Sequence, residues 1–181
     1  MVICPDTSPR HLGLPGEDES YDFGSGASFY LNAQTPGYKE NYQMYDYINE
    51  EIPQILRSQF GAKKMGLFGH SMGGHGALVI GLRNPDKFTS LSAFSPVVNP
   101  VNCPWGQKAF AGYLGEERKN EWGEYDATEL VKNGARHPQS ILIDQGTSDG
   151  FLEEQLLPQN FEKVCQQREQ PLELNFREGY D

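Results

Sequence analysis

The chain is poor in cysteine, in basic residues and in long apolar runs, and each shortage removes a class of protein. Three cysteines, Cys4, Cys103 and Cys165, stand among 181 residues, an odd number with no metal-ligand spacing. That excludes a disulfide framework and favours a reducing compartment. Lys and Arg total 15 against 25 Asp and Glu, for a formal net charge of -10. Phosphate backbones need a basic face, so nonspecific nucleic-acid binding is disfavoured. The acidic balance does not by itself argue for an anionic substrate. No apolar run approaches the ~20 residues that span a bilayer, and no signal-peptide pattern is evident. The expectation is a soluble, cytoplasmic protein. Hydrophobic content of 37% and 12% aromatics fit a single globular domain over residues 1–181.

Against this background one segment carries chemistry. Gly69-His70-Ser71-Met72-Gly73 has the form G-x-S-x-G, between an apolar run ending at Phe68 and a helix-forming run from Gly76 to Leu82. A strand, a sharp turn and a helix are the setting in which this motif makes a nucleophile elbow. The turn is strained, and its glycines are expected to let the strand and helix backbones pass closely. Ser71 would project its hydroxyl at the carboxyl end of a strand, beside a helix N-terminus. Backbone N–H groups there, Met72 first, would stabilise an oxyanion. A glycine-rich turn with an incidental serine is the bland alternative.

The rest of the chain alternates short apolar runs with helical patterns. Val2-Ile3-Cys4 reads as the end of a buried strand stopped by Pro5, and residues 5–40 read mostly as loop. Tyr45, Ile48, Ile52 and Ile55 share one face of a helix over about 41–58, which Pro53 should bend. Strands are expected at 65–69, 88–94, 141–143 and 172–176, and helices at 73–83 and 156–167. Asp126 to Glu129 resembles a capping box opening a short helix. This alternation predicts a mostly parallel sheet with helices on both faces.

A serine nucleophile needs a base, and the base needs an orienting acid. On α/β-hydrolase scaffolds they follow in the order serine, acid, histidine. Asp149 lies in the loop beyond the strand at 141–143, whereas Asp144 is still near the strand's end, so Asp149 is the preferred acid. Aspartates in Ser-Asp-Gly turns are commonly structural. The four histidines are His11, His70, His75 and His137, and none follows Asp149. His70 and His75 are too local to Ser71, and His11 and His137 read as solvated loop residues. No base is therefore expected within the sequence itself.

The stretches GEDESYDFGSGASFY, FGHSMGGHGAL, LSAFSPVVNPVNCPWGQKAFAGYLG, ILIDQGTSDGFLEEQLLPQNF and FREGYD closely resemble the S-formylglutathione hydrolase (esterase D) family. The resemblance runs over residues 2–181 and implies an α/β-hydrolase fold, here lacking the N-terminal strands and the C-terminal helix region. It implies Ser71 as nucleophile, Asp149 as acid and a histidine directly after Asp181, so the chain looks truncated at both ends. The second oxyanion donor belongs to the missing N-terminal part. So does the strand expected between the Val2–Cys4 segment and the elbow strand, which would leave an unpaired apolar edge and a poorly stable chain. The implied reaction is thioester hydrolysis in formaldehyde detoxification, releasing formate and glutathione without metal or organic cofactor. A homodimer is compatible with the resemblance, and this chain is expected to be nearly inert. The alternatives are a short-chain carboxylesterase and a non-catalytic truncated product.

Glu17, Asp18, Glu19 and Asp22 read as a solvated acidic loop. Trp105, Phe110 and Tyr113 read as packing of a small cap, with Lys108 a candidate for a glutathione carboxylate. Cys103 reads as a buried structural thiol.

Overall fold

Four of the five apolar runs become strands in the computed structural model, which describes residues 1–181. The helical region expected over 41–58 starts as Met44–Asp46 (α1), widens into a π turn over Tyr47–Glu51 and continues as Ile52–Phe60 (α2). Pro53 explains the change of geometry. It has no N–H for the carbonyl of Asn49, and the π turn bridges that gap. Lys87 Nζ takes the freed carbonyl at 2.8 Å. Gly61, in the left-handed region at φ 64, ends α2.

The sheet contains Leu67–His70 (β1), Leu91–Phe94 (β2), Ile141–Gly146 (β3) and Leu172–Arg177 (β4), in the order β1-β2-β3-β4 and parallel throughout. Met72–Arg83 (α3) links β1 to β2. The passage from β2 to β3 carries Pro104–Tyr113 (α4), a 3-10 stretch Glu116–Tyr125 and Ala127–Lys132 (α5). Pro158–Arg168 (α6) leads into β4. Asp126 caps α5 by accepting the Glu129 N–H at 2.9 Å, as the capping pattern predicts.

The helices pack chiefly against one row of strand side chains. Leu91, Ala93, Ile141 and Ile143 point into a core with Leu78, Val79, Phe161 and Val164. The opposite row, Phe68, Ser92, Phe94 and Leu142, is not enclosed, and Phe68 is 59% exposed. The mostly parallel sheet with flanking helices stands as expected, with the row through Phe68 its less covered side. A second core forms beneath the excursion, where Tyr42, Phe110, Tyr113 and Trp122 are buried with Phe29 and Leu31.

Three sequence readings are corrected. Val2 and Ile3 are 65% and 40% exposed and join no strand, since the segment pairs with neither edge of the sheet. An extended segment without a partner has no ladder to hold it. His137 is buried, with Nε2 2.8 Å from the Phe88 carbonyl. Glu17 is buried too, accepting the Tyr42 hydroxyl at 2.7 Å and the Leu14 N–H at 3.0 Å. Its neighbours Asp18 and Glu19 are exposed as expected. No helix is long and apolar enough to cross a membrane.

Candidate active site

Ser71 sits between β1 and α3 with φ 54 and ψ -114, a combination that is costly for a residue with a Cβ. Neighbours overdetermine it. The Ser71 N–H donates to the Phe94 carbonyl at 2.9 Å, and its own carbonyl accepts from His75 N–H at 3.0 Å and Val97 N–H at 3.3 Å. The hydroxyl makes no capping bond, so it is free for chemistry. His75 is the first α3 residue whose N–H the turn satisfies. The Met72 N–H, at the first helical position, belongs to the donors a helix leaves unpaired. Such donors favour negative charge.

The glycines of the motif do unequal work. A Cβ on Gly69 would lie 2.3 Å from the Gly73 carbonyl oxygen, while one on Gly73 meets nothing within 4 Å. The close approach attributed to both therefore belongs to Gly69, and also to Gly74, whose Cβ would meet Pro96 at 2.8 Å. The buttress behind the turn comes from far in sequence. Phe29 N–H donates to the Met72 thioether at 3.3 Å, and the Phe29 ring packs edge-on to His75 at 5.0 Å.

Asp149 stands in the loop after β3, at the same carboxyl end of the sheet as Ser71. Its Oδ1 accepts the Phe151 N–H at 2.8 Å. Asp144 is instead inside β3 and ion-paired with Arg177 at 2.8 Å. The last residues of the chain run along this loop. Ser148 N–H donates to the Tyr180 carbonyl at 2.8 Å, and a Cβ on Gly146 would touch the carbonyl oxygens of Tyr180 and Asp181. Residues 180 and 181 thus lie beside the segment that carries Asp149.

Neither buried histidine is free to act as a base. His75 is fully enclosed, with Nε2 2.7 Å from the Tyr125 carbonyl, and burial lowers its pKa to about 4. His137 is held by Phe88 and, through its backbone, by Gln170. His70 and His11 are exposed. His70 ends β1 in the row with Phe94, and adjacent strand side chains diverge.

Along the rim, Trp105 packs 4.6 Å from Phe151 and edge-on to Tyr21 at 6.5 Å. Lys108, the candidate anion contact, is already paired with Asp22 and with Ser20 Oγ. That bond holds the Asp22 carboxyl below its ordinary range. Cys103 caps α4 through its sulfur, and burial pushes its thiol up to about 11, which makes it unreactive. Sequence reasoning missed Phe29, Glu17 and the buried environment of His75. Their partners stand 25 to 50 residues away, so no local pattern marks them.

A parallel sheet whose strand-to-helix turn presents a strained serine defines the α/β-hydrolase class. The chain belongs to the esterase family: the family model described as "Putative esterase" matches residues 2–181. It is 52% identical to the S-formylglutathione hydrolase of Mus musculus, with 100% of this chain and 65% of that protein covered. It is also 52% identical to the S-formylglutathione hydrolase of Arabidopsis thaliana, over 99% of this chain and 64% of that protein. An S-formylglutathione hydrolase structure from Agrobacterium tumefaciens superposes with a TM-score of 0.93 at 46% identity, covering 98% of this chain and 64% of that one. The chain therefore spans about 65% of the length of the curated relatives it matches.

Proposed function

We propose that the chain carries the nucleophile and acid of an S-formylglutathione hydrolase. The observation that supports this most is Ser71 itself, held at φ 54 against a helix N-terminus with its hydroxyl unengaged. In this reading Ser71 Oγ attacks the formyl carbon of S-formylglutathione and the Met72 N–H helps hold the oxyanion. The carbon–sulfur bond then breaks, glutathione leaves with a proton from the base, and water releases formate from the formyl-serine. Asp149 orients the base, a histidine directly after Asp181 in the longer protein of this family. The proximity of Tyr180 and Asp181 to the Asp149 loop supports that assignment.

None of these steps calls for a metal or organic cofactor. The small thioester substrate and a role in formaldehyde catabolism rest on the relatives' names and the resemblance. Three free cysteines fit a reducing, cytoplasmic setting. Within residues 1–181 no histidine stands as base, so this stretch alone should show only residual turnover.

The test is to read the source transcript through both ends of this frame, express the resulting chain and assay S-formylglutathione. Formate release that disappears in Ser71→Ala and falls steeply in Asp149→Asn is expected. Turnover of a short aryl ester with none of the thioester would favour the carboxylesterase reading. A stop codon directly after Asp181 in mature message would favour a non-catalytic product.

A further inference from the structure

We infer that Asp126 is a positioning residue for the turn at Ser71, acting through the loop that follows β2. The role assigned to that turn rests on the proposed function; the coupling itself does not. Asp126 and Asn99 are buried, and the Asp126 carboxylate does more than cap α5. One oxygen accepts the Glu129 N–H, which is all that capping requires. The other accepts Asn99 Nδ2 at 2.9 Å and Val101 N–H at 3.0 Å. Asn99 Oδ1 in turn accepts from Asn102 at 2.9 Å and from Asn160 of α6 at 2.9 Å. The same loop is pinned at Val98, whose carbonyl accepts the Thr128 N–H and hydroxyl at 3.1 and 2.9 Å.

The loop so fixed touches both halves of the site. Val97 N–H donates to the Ser71 carbonyl, and Pro96 fills the space beside Gly74. Val98 N–H donates to the Leu156 carbonyl at 3.3 Å, and Trp105 N–H reaches Gln155 Oε1 at 3.0 Å. Leu156 and Gln155 end the turn that begins just after Asp149. One buried carboxylate therefore holds the segment that bridges the serine turn and the segment leaving the acid loop. A carboxylate suits the task because all three of its partners are N–H donors. An asparagine would turn an NH2 toward one of them.

Amide exchange in the 181-residue chain tests this without any need for catalysis. Asp126→Asn should leave Leu91 and Ile143 as protected as before. Exchange at Val101 and, two residues before Asn99, at Val97 should quicken by about tenfold, as expected for loss of one net hydrogen bond. If Asp126→Asn does not fold, Thr128→Val loosens Val98 without touching the carboxylate and should quicken Val97 likewise. In the longer chain, kcat per titrated serine should fall with KM unchanged, a split that mere loss of folded protein cannot produce. Faster exchange at Glu129 and Val101 with Val97 unchanged would reduce Asp126 to a helix cap and overturn the proposal. So would an unchanged kcat per serine.

Discussion

Gly69 faces the carbonyl oxygen of Gly73 so closely that a Cβ on it would lie 2.3 Å from that atom, whereas Gly73 has open space around its own Cβ position. The atom in the way is backbone, which cannot rotate aside. Gly69→Ala should therefore cost about 2–3 kcal/mol, at the upper end of overpacking penalties. Gly73→Ala, in the first turn of α3, should gain up to about 1 kcal/mol from reduced unfolded-state freedom and better helix propensity. Denaturant midpoints at a common slope measure both, and equal midpoints for the two variants would refute the distinction.

Ser71 itself stores strain. Its φ of 54 and ψ of -114 suit glycine, and such residues cost about 1–3 kcal/mol. Ser71→Gly should exceed Ser71→Ala in stability by about 1 kcal/mol, once glycine's extra chain entropy is subtracted. Both variants lose the hydroxyl, so the comparison isolates the backbone. Thermal midpoints in the reverse order would show that the turn is relaxed.

The sheet, the helix after Ser71 and the cap at Asp126 were legible because each depends on neighbours in sequence. Leu91 and Ala93 alternate with Ser92 and Phe94, and Asp126 is three residues from Glu129. Glu17 and His137 were misread as solvated. Their burial comes from Tyr42 and Phe88, at 25 and 49 residues' remove, and no local composition encodes that. Val2–Cys4 shows the opposite failure. Its β propensity is real, but a strand also requires a ladder, and the sheet gives it none. Ser71 and Asp149 are read from a motif and a loop position. The shared carboxyl end of the sheet is what relates them, and the chain order of strands predicts it.

The β1 edge should govern the behaviour of the chain in solution. β1 pairs only with β2, and Phe68 in its middle is 59% exposed. Open apolar edges recruit other strands. Heating should produce light scattering that grows with protein concentration. Phe68→Lys should suppress the scattering with a stability change within about 0.5 kcal/mol, as for other surface sites. Scattering that is absent from the parent chain, or indifferent to concentration and to Phe68→Lys, would remove the edge as the cause.

Acid should destabilise the fold through His75. Burial depresses its pKa from 6.5 to about 4, and its Nδ1 has no partner that a proton would satisfy. Between those values the unfolded chain binds a proton and the folded chain does not, so stability rises with pH across this window. The shift corresponds to roughly 3 kcal/mol lost on acidification from pH 6.5 to 4. Asp126 works in the opposite sense. Burial raises its carboxyl from 3.8 to about 6, so protonation below that point favours the folded state. The two are separated by comparing the chain with His75→Phe, in which Asp126 is unchanged and the aromatic neighbours Phe29 and Phe110 accept a ring. The stability difference between parent and variant should shrink by roughly 3 kcal/mol from pH 6.5 to 4 and stay level above 6.5. A difference that is flat throughout would mean that His75 titrates alike in both states and that its burial carries no acid penalty.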